Sequence, residues 1–278
     1  MDFLGRIRPK PKVVGDDHYL FRADCLDVLK QIPDKSIRLI VTDPPYNIGL
    51  KYNSYRDKKG WNIYYSELEE RLNEMARILT DDGSLYLINY PEINARTVPI
   101  IDKTGLIFRR WLTWHYPSNI GTSKSNYTRT QRSVLFYTKT KKNIFNREQV
   151  LQPYKNPDVS KIKKLIKKGK MGRTPYDTLD MKDLFEIFYE ELPDVLNFNL
   201  LKNVCKDRIL EHPCQLPPTL LKVFVKVSSN PGDFVLDAYA GTFTTSLVAK
   251  ELGRKSIGIE IDSLYLKYGL RRLKDGKR

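Results

Sequence analysis

Cysteine is scarce: Cys25, Cys205 and Cys214 are the only three in 278 residues, and no Cys-x-x-Cys pair occurs. Such a set builds neither a disulfide framework nor a zinc site, and it fits a reducing compartment. Long apolar runs are missing too. None approaches the roughly 18 residues that a spanning helix needs, and MDFLGRIRPKPK lacks the apolar stretch of a secretory signal. A cytoplasmic protein without membrane attachment is expected. With 15 Gly and 16 Pro the chain is neither collagenous nor low in complexity. At 41% hydrophobic content it can bury a core, and its length suits one large α/β domain with a smaller lobe.

Charge is abundant and uneven. The formal net charge is +15. Between Lys103 and Arg173 stand 18 Lys and Arg against only Glu148 and Asp158, whereas the other 207 residues hold 30 basic and 31 acidic side chains. The whole excess lies in one central block, interleaved with Trp111, Trp114, His115, Tyr116, Tyr127, Phe136 and Tyr137. A polyanion with stackable bases selects such a surface, so nucleic acid is the leading partner. The plainer alternative is a solvated basic face that serves solubility or thermal stability.

Along the chain, residues 1–17 show no apolar periodicity and read as a flexible basic arm. A short strand is expected at Tyr19–Phe21, a helix carrying Leu26, Val28, Leu29 and Ile32, and a buried parallel strand at Ile37–Thr42. A helix from about Tyr64 to Ile78 follows, then a turn at Asp81-Asp82-Gly83 and a strand Ser84–Ile88. Further strands are expected at Arg110–Trp114 and Ser133–Tyr137. Residues 151–210 read as a separate lobe that opens with the basic run Lys161–Arg173 and continues in a helix Leu179–Leu192. Pro217-Pro218 opens a helix; a strand Phe234–Leu236, a loop Asp237–Thr245, a helix Ser246–Leu252 and a strand Ser256–Ile261 close the pattern. The alternation is that of an α/β sheet.

Asp43-Pro44-Pro45-Tyr46 follows the expected strand Ile37–Thr42, which places it at the carboxyl edge where open α/β sheets bind ligands. Two prolines fix both φ angles and remove both N–H donors, so the bend offers only acceptors, the Asp43 carboxylate and the Pro44 carbonyl. The fitting ligand is a donor with two N–H bonds, such as the exocyclic amine of a base, for which Tyr46 is a stacking platform. In isolation the tetrapeptide would by default be a proline-capped strand end with an incidental tyrosine.

Taken together, these residues resemble the amino-group DNA methyltransferases, which modify adenine N6 or cytosine N4 with S-adenosylmethionine. Asp43 to Tyr46 match their (D/N/S)PP(Y/F/W) catalytic motif. Val235 to Thr245, VLDAYAGTFTT, is similar to their cofactor loop, D-x-F-x-G-S-G-T-T, and His212-Pro213-Cys214-Gln215-Leu216-Pro217 resembles the HPxQxP segment that precedes it. The resemblance implies that Asp237, Tyr239, Ala240, Gly241, Thr242 and Thr244 bind the cofactor, that Glu260 takes its ribose hydroxyls and that Asp24 takes its adenine amine. Asp24 is otherwise a helix N-cap. A metal at His212 and Cys214 is not expected, because two ligands between prolines do not fill a tetrahedral site.

Motif order refines the expectation. The catalytic motif precedes the basic block and the cofactor loop comes last, as in the β subgroup. This implies a Rossmann-like, circularly permuted methyltransferase sheet with a basic target-recognition lobe: catalytic domain 18–150 and 211–278, recognition region 151–210. The order disfavours the glutamine and tRNA guanine methyltransferases that share (N/D)PPY. Duplex DNA is the expected partner, the target base is flipped out, and adenine is favoured over cytosine. A cognate restriction endonuclease is implied by the family's place in restriction and modification. Trp114, His115 and Tyr116 are candidate second contacts to the base or, equally, core aromatics. Lys161, Lys163, Lys164, Lys167, Lys168, Lys170 and Arg173 are expected to contact phosphates.

One departure stands out. Phe243 replaces the second Gly of the family loop, and a positive φ there costs a phenylalanine roughly 1–2 kcal/mol. Either the loop is helical from Thr242 onward or cofactor affinity suffers. A catalytically silent DNA-binding protein with the same fold, or an RNA methyltransferase, are the competing readings.

Overall fold

The computed structural model describes residues 3–50, 57–115, 124–180 and 215–276. Its strands are β1 Lys12–Val14, β2 His18–Arg22, β3 Ile37–Thr42, β4 Leu79–Asn89, β5 Ile107–His115, β6 Gln131–Thr138, β7 Thr178–Asp180, β8 Phe234–Asp237 and β9 Lys255–Glu260. Helices are α1 Cys25–Leu29, α2 Trp61–Ile78, α3 Pro91–Asp102, α4 Ser160–Lys167, α5 Pro218–Ser228, α6 Thr244–Glu251 and α7 Ser263–Asp275. The strands form one sheet in the order β1-β2-β9-β8-β3-β4-β6-β5-β7. Among the described residues no helix is long and apolar enough to cross a membrane.

From β2 to β4 all pairings are parallel. Counted from β8 as the first strand and passing from β9 to β2, these five read 3-2-1-4-5, the opening of the doubly wound order, with the reversal between β8 and β3. β3 shows why its sequence is a continuous aliphatic run. Ile40 packs with Leu68, Leu72 and Met75 of α2 and with Val28 and Leu29 of α1. Leu39 and Val41 pack on the other face with Leu220, Leu221 and Phe224 of α5. A strand covered on both sides has no polar alternation.

Several expectations are corrected. The first residues are not a loose arm: Leu4 and Ile7 are buried in the α1/α2 core, and β1 pairs antiparallel with β2. These apolar side chains are too few to give a periodicity, yet enough to anchor the segment. The turn expected at residues 81–83 lies inside β4, where Ile37 faces Leu79 but Leu39 already faces Ser84. The extra residues bulge outward, and Gly83 permits it, since a Cβ there would lie 2.9 Å from the Arg38 carbonyl oxygen. Leu179 and Asp180 belong to strand β7, parallel to β5, rather than to a helix; the remainder of that expected helix, from residue 181 on, lies outside the described residues. The α3 helix, opened by Pro91, was not foreseen because Pro99 interrupts its pattern.

Candidate active site

Four neighbouring parallel strands each deliver a carboxylate to the same sheet edge. Asp24 follows β2, Glu260 ends β9, Asp237 ends β8 and Asp43 follows β3. All four line one cleft, together with Pro44, Tyr64, Arg71, Gln215 and the loop Ala238–Thr242. The cleft straddles the reversal of strand order, where α/β sheets bind ligands.

Of the four, Asp43 accepts the fewest hydrogen bonds from the described residues. Tyr46 Oη donates to its Oδ2 at 2.7 Å, while its buried Oδ1 accepts no hydrogen bond from the described residues. Burial pushes the carboxyl up to about 7; Arg132 and the Tyr46 hydroxyl oppose this, and Asp237 adds to it. Among the described residues the Pro44 carbonyl has only a long contact with Asn89 Nδ2 at 3.4 Å, and the Pro45 carbonyl accepts from Tyr64 Oη at 2.8 Å. Behind the motif, the buried Asp57 carboxylate accepts from the backbone N–H groups of Asn47, Ile48 and Leu50, and Asn47 bonds Lys59 in both directions. That clasp holds the bend in place.

Tyr46 is not an open platform. Its ring is 1% exposed, with the Tyr90 ring centroid 4.7 Å away and the Arg132 guanidinium over it at 4.7 Å.

Across the cleft, Asp237 accepts from the hydroxyls of Thr42 and Thr245 and from the Tyr239 N–H. Burial raises it to about 6 against those three donors. Glu260 accepts the N–H of Gly241 on one oxygen and that of Asp262 on the other, both at 2.8 Å, and burial raises it to about 7. The Ile261 N–H also favours its ionised form. The loop between them is tied from behind by Arg272 Nη1, which donates to the Thr242 carbonyl at 2.6 Å and the Thr244 hydroxyl at 3.0 Å.

Phe243 does take the left-handed conformation, at φ +60° and ψ +33°, so the loop is not helical from Thr242 and α6 begins at Thr244. The ring is 1% exposed and lies against Gly258 and Gly269. Burial of this ring offsets the backbone strain.

Asp24 does cap α1, accepting the Leu26 N–H at 2.9 Å. It also accepts from Arg71 Nη2 on both oxygens, at 3.0 and 2.8 Å. Beside them the buried Cys25 thiol is pushed up to about 11 by desolvation, which makes it unreactive.

Of the candidate nucleic-acid contacts, Trp114 on β5 is a buried core residue, in one apolar cluster with side chains of β4, β6 and α5. His115 is partly exposed, with Nδ1 3.1 Å from Asp180 Oδ2. Tyr116 lies outside the described residues, as do Cys205, His212, Pro213 and Cys214. Lys161, Lys163, Lys164 and Lys167 stand on α4, which buries none of its residues. Lys168 and Lys170 follow it, exposed, whereas the Arg173 guanidinium stacks on Tyr176 at 3.8 Å. Arg71, Asn89, Asp57 and Arg132 had no local signal in the sequence, because the groups each one touches are set by the fold and not by its neighbours in the chain.

Residues 37–271 match the N6/N4 family model described as DNA methylase. The chain belongs to this DNA methylase family. It is thus an amino-group DNA methyltransferase, of the N6-adenine or N4-cytosine kind. This methylase is 35% identical over 259 residues to the DNA adenine methyltransferase YhdJ of Escherichia coli, covering 91% of this chain and 82% of that one. It is 30% identical over 258 residues to the Type II methyltransferase M1.MboII of Moraxella bovis, covering 89% and 93%. Among solved structures, the PvuII cytosine-N4-specific DNA methyltransferase superposes with a TM-score of 0.69 at 18% identity, covering 96% of each chain. A modification methylase of Thermus thermophilus complexed with S-adenosyl-L-methionine gives 0.61 at 21% identity, covering 93% and 94%. The methylase therefore shares its fold with both.

Proposed function

We propose that this methylase transfers a methyl group from S-adenosylmethionine to N6 of an adenine flipped out of duplex DNA, as the modification half of a restriction-modification system. One observation carries the reading: a buried carboxylate oxygen of Asp43 that accepts no hydrogen bond from the described residues, beside the Pro44 carbonyl with one long contact from them, at the strand-order reversal. Two adjacent acceptors suit the two N–H bonds of an exocyclic amine. Adenine is favoured by the 35% identity to an adenine methyltransferase, and the restriction-modification setting by the Type II relatives. The late position of β8 and β9 in the chain, but central in the sheet, fits a circular permutation.

The cleft suits the cofactor. It is rich in carboxylates, and S-adenosylmethionine carries a sulfonium and an ammonium group. Glu260 would take the ribose hydroxyls and Asp24 the adenine amine, with Asp237, Tyr239, Ala240, Gly241, Thr242 and Thr244 around the amino-acid end. When bound, the cofactor supplies an electrophilic methyl group.

The protein's own part is to prepare the amine. Its lone pair is delocalised into the ring, so it is a poor nucleophile. Asp43 Oδ1 and the Pro44 carbonyl accept the two N–H bonds and draw the hydrogens out of the ring plane, which localises the lone pair. Pro44 and Pro45 keep the acceptors rigid, so little reorganisation is needed. After transfer, the methylated amine carries one proton too many and gives it up to solvent. Tyr46 stacks on the flipped base once its ring is uncovered, and the α4 lysines hold the phosphates.

The test is to incubate the protein with isotope-labelled S-adenosylmethionine and unmethylated duplex DNA, then identify labelled nucleosides by mass spectrometry. Labelled N6-methyladenine is expected. N4-methylcytosine would change the target; label on RNA only, or cofactor binding without transfer, would overturn the reading. The packing of Phe243 against Gly258 and Gly269 counts against a catalytically silent protein, and measured cofactor binding separates the two readings.

A further inference from the structure

Arg132 belongs to the basic block by sequence, but it does not face solvent. It stands on β6 and is 5% exposed. Its guanidinium lies 4.7 Å from the ring centroids of both Tyr46 and Tyr90 and 6.0 Å from that of Trp114. A cation so buried is unsuited to a phosphate at the surface, and it is costly unless an anion faces it. Asp43 is an anion within its electrostatic reach, and the Tyr46 ring under the guanidinium donates its hydroxyl to Asp43 Oδ2.

We propose that Arg132 is a positioning residue for the reaction: it keeps Asp43 ionised, so that both carboxylate oxygens are acceptors, and it covers Tyr46 until a base replaces it. The inference rests on the reading of Asp43 given above. A protonated Asp43 would present an O–H donor where an amine needs an acceptor.

The surroundings support this. Asp43 is faced by Asp237 from β8, by Arg132 from β6 and by Tyr46 from its own loop. The polar groups of Tyr64 on α2 and Asn89 on β4 are directed to the Pro45 and Pro44 carbonyls. Burial and Asp237 both favour the protonated carboxyl, and Arg132 is the cation that opposes them. Without it, ionisation would require a more alkaline solution.

The experiment is the pH profile of kcat/KM for methyl transfer to duplex DNA by the wild type, Arg132→Met and Arg132→Lys. Wild type should show a rising limb near pH 7. In Arg132→Met the limb should move up by about 1 unit or more, with the rate at neutral pH down roughly tenfold and partly regained in alkali. Arg132→Lys should stay close to the wild-type limb. KM for S-adenosylmethionine should be unchanged in all three. A uniform loss across pH, or no loss, in a folded Arg132→Met would overturn the role of Arg132. Arg132→Gln repeats the test if the methionine variant does not fold. Failure of the wild type to methylate DNA at any pH would instead overturn the underlying reading of Asp43, and this inference with it.

Discussion

Phe243 lies with its ring against Gly258, at a distance where a Cβ on that glycine would come within 2.5 Å of the ring. The pair couples the loop that ends at Phe243 to β9, and Gly269 on α7 lies against the same ring. A side chain at either glycine overpacks the site. Gly269→Ala and Gly258→Ala should each lower stability by ~1–3 kcal/mol in denaturant unfolding. Phe243→Gly should relieve ~1–2 kcal/mol of backbone strain but leave a cavity worth ~3–5 kcal/mol, a net loss. A more stable Phe243→Gly would show that the ring does not offset its backbone.

The buried acids set a pH dependence whose sign is unusual for carboxylates. Asp43 and Glu260 are raised to about 7 and Asp237 to about 6 in the folded protein, so the native state binds more protons than the unfolded chain above pH 4. Their contribution is therefore greatest below pH 4 and is lost as pH rises through 6 and 7. Asp43→Asn should remove part of this loss, raising the melting midpoint of the ligand-free protein at pH 8 by roughly 2–4 °C. The same variant should transfer methyl groups at least about 100-fold more slowly. Thermal melts and single-turnover rates on one preparation check both, and substantial residual transfer would remove Asp43 from its role.

Arg71 bridges both oxygens of Asp24 and so fixes the acid proposed to take the cofactor's adenine. Arg71→Met should weaken S-adenosylmethionine binding roughly 10- to 100-fold, the value of a charged hydrogen bond, and leave kcat nearly unchanged. Calorimetry and steady-state kinetics separate the two. A drop in kcat with unchanged affinity would move Arg71 to the chemical step.

The α4 helix buries none of its residues and carries Lys161, Lys163, Lys164 and Lys167. Replacing all four by Ala should lower DNA affinity for every sequence alike and reduce the slope of log K against log salt by roughly 3–4. Fluorescence anisotropy over a salt series measures this. An unchanged slope would place the phosphates elsewhere.

The chemistry of this methylase was largely written in local sequence. Ile37–Thr42 forms β3 with the expected bounds, because a strand buried on both faces needs only its own aliphatic run. Asp24, Asp43, Asp237 and Glu260, four of the acids that line the cleft, were readable as residues that end or follow strands. What surrounds them was decided by packing between distant segments. The burial of Trp114, the anchoring of the N-terminal residues by Leu4 and Ile7, and the addition of β7 beside β5 depend on partners far away in the chain. Phe243 is the plainest case. Sequence showed only a bulky residue where a glycine was expected. Gly258 and Gly269, 15 and 26 positions further on, make room for its ring, and tertiary packing compensates a strain that no local rule could excuse.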